Sequence, residues 1–176
     1  MMTNSPITAP DQSEYDPYYH QYISKVPEGD FLAVFAKQPE NLQQLLGDLP
    51  DGEESKLHEP YTWTLKQVLG HLIDVERIFS TRLFSIGVGD TQALPGMDHN
   101  IYVDSFDYGP VAMQTLLDEF AALRKANVIL AQRMSPDALE RVGIASGNSI
   151  SARANLYILC GHVVYHEEVV RKRLGI

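Results

Sequence analysis

The chain has 176 residues, 44% of them apolar, which is enough for one domain with a full hydrophobic core. Its net charge of −9, with no basic block to offset it, excludes a nucleic-acid backbone as partner. A single cysteine excludes an intrachain disulfide, and no apolar run is long enough to cross a membrane. The polar N-terminus lacks a signal-peptide core, so we expect a cytoplasmic protein without a membrane partner.

The first 21 residues are predicted to be an N-terminal arm, with residues 1–14 loose because they are polar and contain prolines. An aromatic cluster follows, made of Tyr15, Tyr18, Tyr19 and Tyr22. Packing of this cluster against the domain is the favoured interpretation, and lining of a ligand cleft is the alternative.

The first two long helices are predicted from their apolar periodicity. The first runs from about Asp30 to Gly47, and Pro39 should kink or split it. The second runs from about Leu65 to Ile86. Thr64 with Gln67 forms a capping box at its start, and Gly87 and Gly89 end it.

A long connection over residues 88–109 precedes the third helix, which is predicted from Pro110 at its first position to about Met134. A short helical turn begins at Ser135, and residues 143–148 predict a small hairpin. Ser151 caps the fourth helix, which runs to about Leu174. The pattern predicts an all-α fold, a four-helix bundle with long helix 1–2 and helix 2–3 connections.

Two histidines one turn apart stand in the apolar fourth helix. His162 and His166 lie within about 40° of each other on a helix, on a face that should point into the bundle. Buried imidazoles cost free energy unless each ring nitrogen finds a partner, and a metal ion supplies one. Hydrogen-bonded core histidines are the alternative. His71, on the apolar face of the second helix, is the third candidate ligand.

Three imidazoles suit zinc or nickel and leave a coordination position open. A zincin protease is excluded, because Val163 stands where that motif needs its glutamate base. The candidate catalytic proton acceptors are Asp98, Glu76 and Tyr165. Cys160 should face away from His162, and His99 is either a plain loop residue or a group that reaches the site.

The chain resembles the DinB/YfiT-like superfamily of metal-dependent bundle proteins from about residue 22 on. The most specific carriers are the segment from Trp63 to Arg77, which includes Gly70-His71, and the segment Gly161-His162 with His166. Weaker carriers are residues 26–30 and 94–98. Many relatives have histidine where this chain has Tyr165. Residues 22–176 are accordingly interpreted as a DinB-like four-helix bundle domain.

The resemblance implies a divalent metal held by His71, His162 and His166, and a fold that is often dimeric, so a homodimer is one expected assembly. Some relatives are transferases that use low-molecular-weight thiols such as bacillithiol, mycothiol or glutathione, and others are labelled hydrolases. The leading hypothesis is a metal-dependent thiol S-transferase acting on a small-molecule substrate. The alternatives are a metal-dependent hydrolase and a non-enzymatic, stress-related metal-binding bundle. Arg82 and Arg153 are candidates for binding the charged groups of a thiol carrier, or else are structural ion-pair partners.

Overall fold

The computed structural model of the chain describes residues 6–176. Four long helices carry the fold, and shorter elements connect them. The helices are α1 (His20–Ile23), α2 (Phe31–Leu46), α3 (Leu65–Val88), α4 (His99–Ser105), α5 (Met113–Arg133), α6 (Pro136–Glu140) and α7 (Ala152–Leu174). The strands are β1 (Val142–Ala145) and β2 (Asn148–Ser151), and 3-10 turns cover Gln12–Glu14, Pro17–Tyr19 and Glu53–Ser55.

The long helices α2, α3, α5 and α7 form a four-helix bundle, as the periodicity of the sequence predicts. Helix α3 packs against α5 and α7, and α2 packs against the same two helices from the other side. The consecutive helices α2 and α3 therefore lie diagonally across the bundle, which requires the long connection between them. The two short strands pair as one antiparallel hairpin beside α7.

The predicted helix starts are confirmed wherever a polar cap defines them. Asp30 accepts from the first backbone amides of α2, Thr64 forms the capping box of α3 with Gln67, and Ser151 caps α7. Helix α2 continues through Pro39 without a break. Helix α3 extends to Val88 and ends at Gly89, whose φ of +84° is the left-handed conformation of a C-cap.

One prediction about the α3–α5 connection is wrong, and the connection contains a helix that the sequence analysis did not predict. Pro110 is not the first residue of the third helix, because it lies in a turn in which the Val111 amide donates to the Tyr108 carbonyl. Residues 99–105 form the additional helix α4, which Asp98 caps by accepting from the Asn100 amide. The connection is also fastened to the hairpin, since the Leu94 amide donates to the Ile144 carbonyl over 2.8 Å.

The prediction of a loose arm is wrong for its described part. Ile7 is buried, and its carbonyl accepts from the Tyr157 hydroxyl of α7. Glu14 binds the Arg153 guanidinium through both carboxylate oxygens. Polar composition hides these contacts, because one buried isoleucine and one ion pair are enough to hold a short segment. Residues 1–5 of the predicted arm lie outside the described residues.

A polar layer divides the core of the bundle into two apolar clusters. Arg124 and Asn127 of α5, Glu76 of α3 and Gln38 of α2 are each at most 1% exposed. On α2, Gln38 lies between Phe35 of one cluster and Leu42 of the other. Gln38 and Arg124 also donate to the Cys160 and Leu159 carbonyls of α7, so the layer joins all four long helices. Among the described residues, no helix is long and apolar enough to span a membrane.

Candidate metal centre

The structure brings together the three histidines that the sequence singles out. His71 projects from α3, and His162 and His166 project from successive turns of α7, which packs against α3. The Nε2 atom of His162 lies 3.1 Å from the Nε2 atoms of both His71 and His166. The candidate ligand atoms of all three residues lie within 4.8 Å of one another.

This geometry fits a small divalent cation. Metal–nitrogen bonds of 2.0–2.1 Å in a tetrahedral arrangement place two ligand nitrogens about 3.4 Å apart, close to the observed 3.1 Å separations. Hydrogen bonding alone satisfies the triad poorly. The Nε2 atom of His162 takes part in both contacts, yet it carries either one hydrogen or one lone pair. A central cation, in contrast, accepts a lone pair from every ring.

Burial keeps the three rings in the neutral form that binds metals. His71 and His162 are each 6% exposed, and His166 is partly buried. Desolvation, with repulsion among the neighbouring histidines, lowers the pKa of His71 to about 3 and that of His166 to about 4. The same causes lower the pKa of His162 well below its ordinary value. At neutral pH, all three rings are therefore uncharged, and each has a nitrogen lone pair that can bind a metal without prior loss of an imidazolium proton.

The metal-free protein is expected to lose stability as the pH falls from about 6.5 toward 4. In this pH window the histidines of the unfolded chain, with an ordinary pKa of 6.5, become protonated, whereas those of the folded triad stay neutral. The unfolded state then binds more protons, so the free energy of unfolding rises with pH, by about 1.4 kcal/mol per pH unit for each histidine. Urea unfolding of chelator-treated protein at several pH values measures this slope.

A His71→Phe variant serves as the control for the pH experiment. Burial raises the pKa of Glu167 from its ordinary value of 4.5 to about 7. Between these two pH values the folded state binds the extra proton, so Glu167 lowers the slope of stability against pH that the histidines raise. The contribution of Glu167 is common to both proteins and cancels in their difference. We expect the variant to have a slope that is shallower by up to about 1.4 kcal/mol per pH unit. Equal slopes would mean that His71 is not held neutral in the folded state.

A glycine directly precedes His71 in α3 and His162 in α7, and each glycine permits close packing against its helix. A Cβ atom on Gly161 would lie 1.9 Å from the Tyr22 carbonyl oxygen, so only glycine allows the backbone of α1 to approach α7 here. A Cβ atom on Gly70 would similarly lie 2.3 Å from the Tyr108 ring. Gly161 therefore lets the segment that carries Tyr22 lie directly against His162, and Gly70 lets Tyr108 pack against α3 beside His71 in sequence.

The triad lies in a cleft of about 260 Å³ with largely aromatic walls. The Tyr22 ring meets His162 edge-on, with 5.1 Å between ring centroids, and the Trp63 ring lies 5.1 Å from that of His71. The lining residues come from all along the chain: Tyr18, Tyr19, Tyr22, Trp63, His71, Val75, Phe79, Arg82, Met97, His99, Ser146, Ile158, His162, Tyr165 and His166. Tyr18, Tyr19 and Tyr22 thus line a cleft, as the alternative interpretation of the aromatic cluster predicts. Tyr15 packs in the core.

Only one of the three candidate proton acceptors lies in the cleft. Tyr165 lines it. Glu76 instead lies in the buried polar layer, where its carboxylate accepts from Arg124 and Asn127. Asp98 is exposed and its carboxylate caps α4. His99, the first residue of that helix, does line the cleft, with its ring centroid 5.9 Å from that of His71.

Of the remaining candidate residues, Cys160 and Arg153 lie outside the cleft and Arg82 lines it. Cys160 is fully buried in the apolar core, where burial raises the pKa of its thiol to about 12, so it is no ready ligand. Arg153 is the structural partner of Glu14. Arg82 lines the cleft with the triad.

Comparison with known families identifies the chain. The family model of the DinB superfamily matches residues 35–170. The chain belongs to the DinB superfamily. This DinB chain also matches the structure of YfiT from Bacillus subtilis, described as a probable metal-dependent hydrolase with an unusual four-helix bundle topology. The TM-score is 0.76 at 17% identity, over 94% of this chain and 93% of YfiT, which shows a shared fold. No curated protein matches by sequence.

The DinB family assignment confirms the resemblance and the fold predicted from the sequence. The domain boundary at residue 22, the homodimer and the cytoplasmic location stay predictions. Sequence reasoning missed the cleft residues Met97 and Ser146, which lie in the α3–α5 connection and at the hairpin turn. Loop residues carry no periodicity that would indicate a shared cleft. Gly161, directly before His162, is a local signal that another segment packs tightly against the triad.

Proposed function

We propose that this chain is a divalent-metal-dependent enzyme that transfers a low-molecular-weight thiol to an electrophilic small molecule. The observation that carries the proposal is the convergence of three neutral imidazoles at the wall of an open cleft. His71, His162 and His166 would hold the metal, and zinc or nickel suits an all-imidazole set.

An open coordination position is supported by what surrounds the triad. Among residues 6–176, the cluster of candidate ligand atoms has three members, and His99 is not one of them. A structural zinc site has four protein ligands, whereas a catalytic site keeps one position for water or substrate. This arrangement favours catalysis over the non-enzymatic metal-binding alternative.

The chemistry of the cleft favours a thiol over water as nucleophile. None of the described residues that line it is a carboxylate, the usual general base for water activation. A bound divalent metal would supply Lewis-acid stabilisation of the thiolate, the form in which sulfur is nucleophilic. A thiol loses its proton far more readily than water, so it needs less help from a protein base.

The residues of the cleft have distinct parts in this reaction. The thiol S–H proton leaves to solvent or to the His99 imidazole, which faces the cleft beside His71. Sulfur forms a bond to the electrophilic carbon, and the leaving group departs with its bonding electron pair and ends protonated. The Tyr22 ring packs against His162 and the Trp63 ring against His71, which shields these two imidazoles from water. Tyr165 can donate its hydroxyl hydrogen to the leaving group.

A metal-dependent hydrolase is the second candidate, and the description of YfiT is the observation that favours it. In that case His99 would take the proton of the attacking water, since no carboxylate of residues 6–176 lines the cleft. Both candidates need the same triad, so the nucleophile is what separates them.

The test is a paired assay of zinc- and nickel-loaded protein. One arm mixes bacillithiol, mycothiol or glutathione with 1-chloro-2,4-dinitrobenzene and follows the thioether product. The other follows ester hydrolysis without thiol. We expect thiol-dependent product formation that disappears in a His162→Ala variant. Hydrolysis with no thiol-dependent turnover would replace the transferase proposal with the hydrolase, and inactivity in both arms would contradict both.

A further inference from the structure

Arg82 is a buried cation with no anionic partner among the described residues. It is 2% exposed, yet no carboxylate oxygen of residues 6–176 lies within 4.0 Å of its guanidinium. Its Nη2 atom donates to the Pro95 carbonyl over 2.8 Å and to the Ser146 hydroxyl over 2.9 Å. Its Nε atom is buried and donates to no protein group in this part of the chain.

The buried Arg124, in contrast, has the carboxylate partner that Arg82 lacks among the described residues. Arg124 is also inaccessible, but it contacts the Glu76 carboxylate and lies over the Phe35 ring. Burying a guanidinium without a counter-ion is strongly unfavourable. Arg82 has only neutral oxygens and the face of the Phe79 ring, 4.5 Å from its central carbon. Its environment is therefore suited to an incoming anion.

Arg82 lies in the same cleft as the histidine triad, at the other end of one stripe of α3. His71, Val75, Phe79 and Arg82 all line the cleft, at helical spacings of four, four and three residues. Eleven residues make three helical turns and separate the backbones of His71 and Arg82 by about 16 Å. The side chains between the two ends are apolar.

We propose that Arg82 binds the oxyanion, a carboxylate or a phosphate, of a small-molecule ligand whose other end lies at the triad. The position of the reactive end rests on the proposed function, but the binding of an anion at Arg82 does not. The guanidinium suits such groups because it is positively charged and its Nε–H has no acceptor among the described residues, so it can donate a charge-assisted hydrogen bond to the anion. The ligand is thus an elongated molecule, anionic at one end and apolar in the middle.

The first experiment measures anion binding to metal-free protein by isothermal calorimetry at constant ionic strength. The probes are glutarate and inorganic phosphate, which distinguish a carboxylate from a phosphate preference. We expect Arg82→Gln to weaken binding of the preferred probe by about tenfold or more, the effect of a lost charge-assisted hydrogen bond. The matched control is Arg77→Gln, an exposed arginine of the same helix, which should leave the affinity unchanged within about twofold.

Equal affinity of Arg82→Gln and wild type, or no binding by wild type, would overturn the proposal. Circular dichroism checks that each variant folds, because Arg82 also holds Pro95 and Ser146. If Arg82→Gln does not fold, Arg82→Lys keeps the charge but loses the Nε–H donor. It should then bind the probe several-fold more weakly, and unchanged binding would again contradict the assignment.

A second arm tests the elongated ligand on zinc-loaded protein. Thiols ending in a carboxylate are compared with thiols of equal length ending in a hydroxyl. We expect one chain length at which the carboxylate binds at least about tenfold more tightly, with no such preference in Arg82→Gln. Failure of wild type to hold zinc contradicts the proposed function alone. The first arm uses metal-free protein, so its result does not depend on zinc binding. That arm alone decides whether Arg82 binds an anion.

Discussion

Replacing His162 with alanine is expected to reduce the bound metal from near one ion per chain to below about a tenth. His162 is the centre of the triad, since its Nε2 atom contacts both other rings. Loss of a direct ligand should weaken binding more than the 10- to 100-fold that loss of a supporting residue costs. Elemental mass spectrometry of tag-free protein, after reconstitution with zinc or nickel, measures the effect.

The same substitution should leave the helices intact. Alanine has a higher helix propensity than histidine, and the variant no longer buries an imidazole without a full set of partners. His99→Ala is the matched control, because His99 lies in the same cleft but outside the cluster of ligand atoms. It should retain metal within a few-fold of wild type. Full occupancy in His162→Ala, or equal loss in His99→Ala, would contradict the ligand set.

The triad could be predicted from the sequence because helical periodicity defines it almost completely. The spacing of His162 and His166 places them on one face, and the apolar neighbours of His71 point it inward. The meeting of His71, in the second turn of α3, with the two histidines in the middle of α7 depends on how these helices are aligned in the bundle. Capping residues are also local, which explains why Asp30, Thr64 and Ser151 predict the starts of α2, α3 and α7.

The rest of the cleft depends on contacts that are distant in sequence. Ser146 and Pro95 meet at Arg82 only because the α3–α5 connection pairs with the hairpin. Glu76 is a further example, since the sequence analysis offers it as a candidate proton acceptor and the structure places it in the buried polar layer. Its partner Arg124 is 48 residues away, so no local pattern shows that the two form a buried pair.

Replacing Glu76 with alanine is expected to lower the free energy of unfolding by about 3–5 kcal/mol, the usual effect of breaking a buried ion pair. The Glu76 carboxylate accepts from Arg124 through one oxygen and from Asn127 through the other, over 2.6 Å. Its removal leaves a desolvated charge and an unpaired amide in the core. For a chain of this size the melting temperature should fall by about 10–15 °C, measurable by calorimetry.

Glu119→Ala is the matched control for this prediction. Glu119 also pairs with an arginine from another helix, Arg77, but both side chains are substantially exposed. An exposed pair contributes about 0–1 kcal/mol because water solvates the separated charges well. If Glu76→Ala cost no more than Glu119→Ala, the buried layer would not hold an ionised pair.

A double replacement distinguishes the net contribution of the ion pair to stability from the cost of leaving one buried charge unpaired. Glu76→Leu with Arg124→Met removes both charges, and buried pairs replaced by apolar residues often keep or gain stability. We expect the double variant to regain most of the stability that Glu76→Ala loses. Yet Arg124 also donates to the Leu159 carbonyl of α7, one turn before the first triad histidine of that helix. The double variant should therefore fold well but bind metal less tightly, which would assign the polar layer to positioning α7.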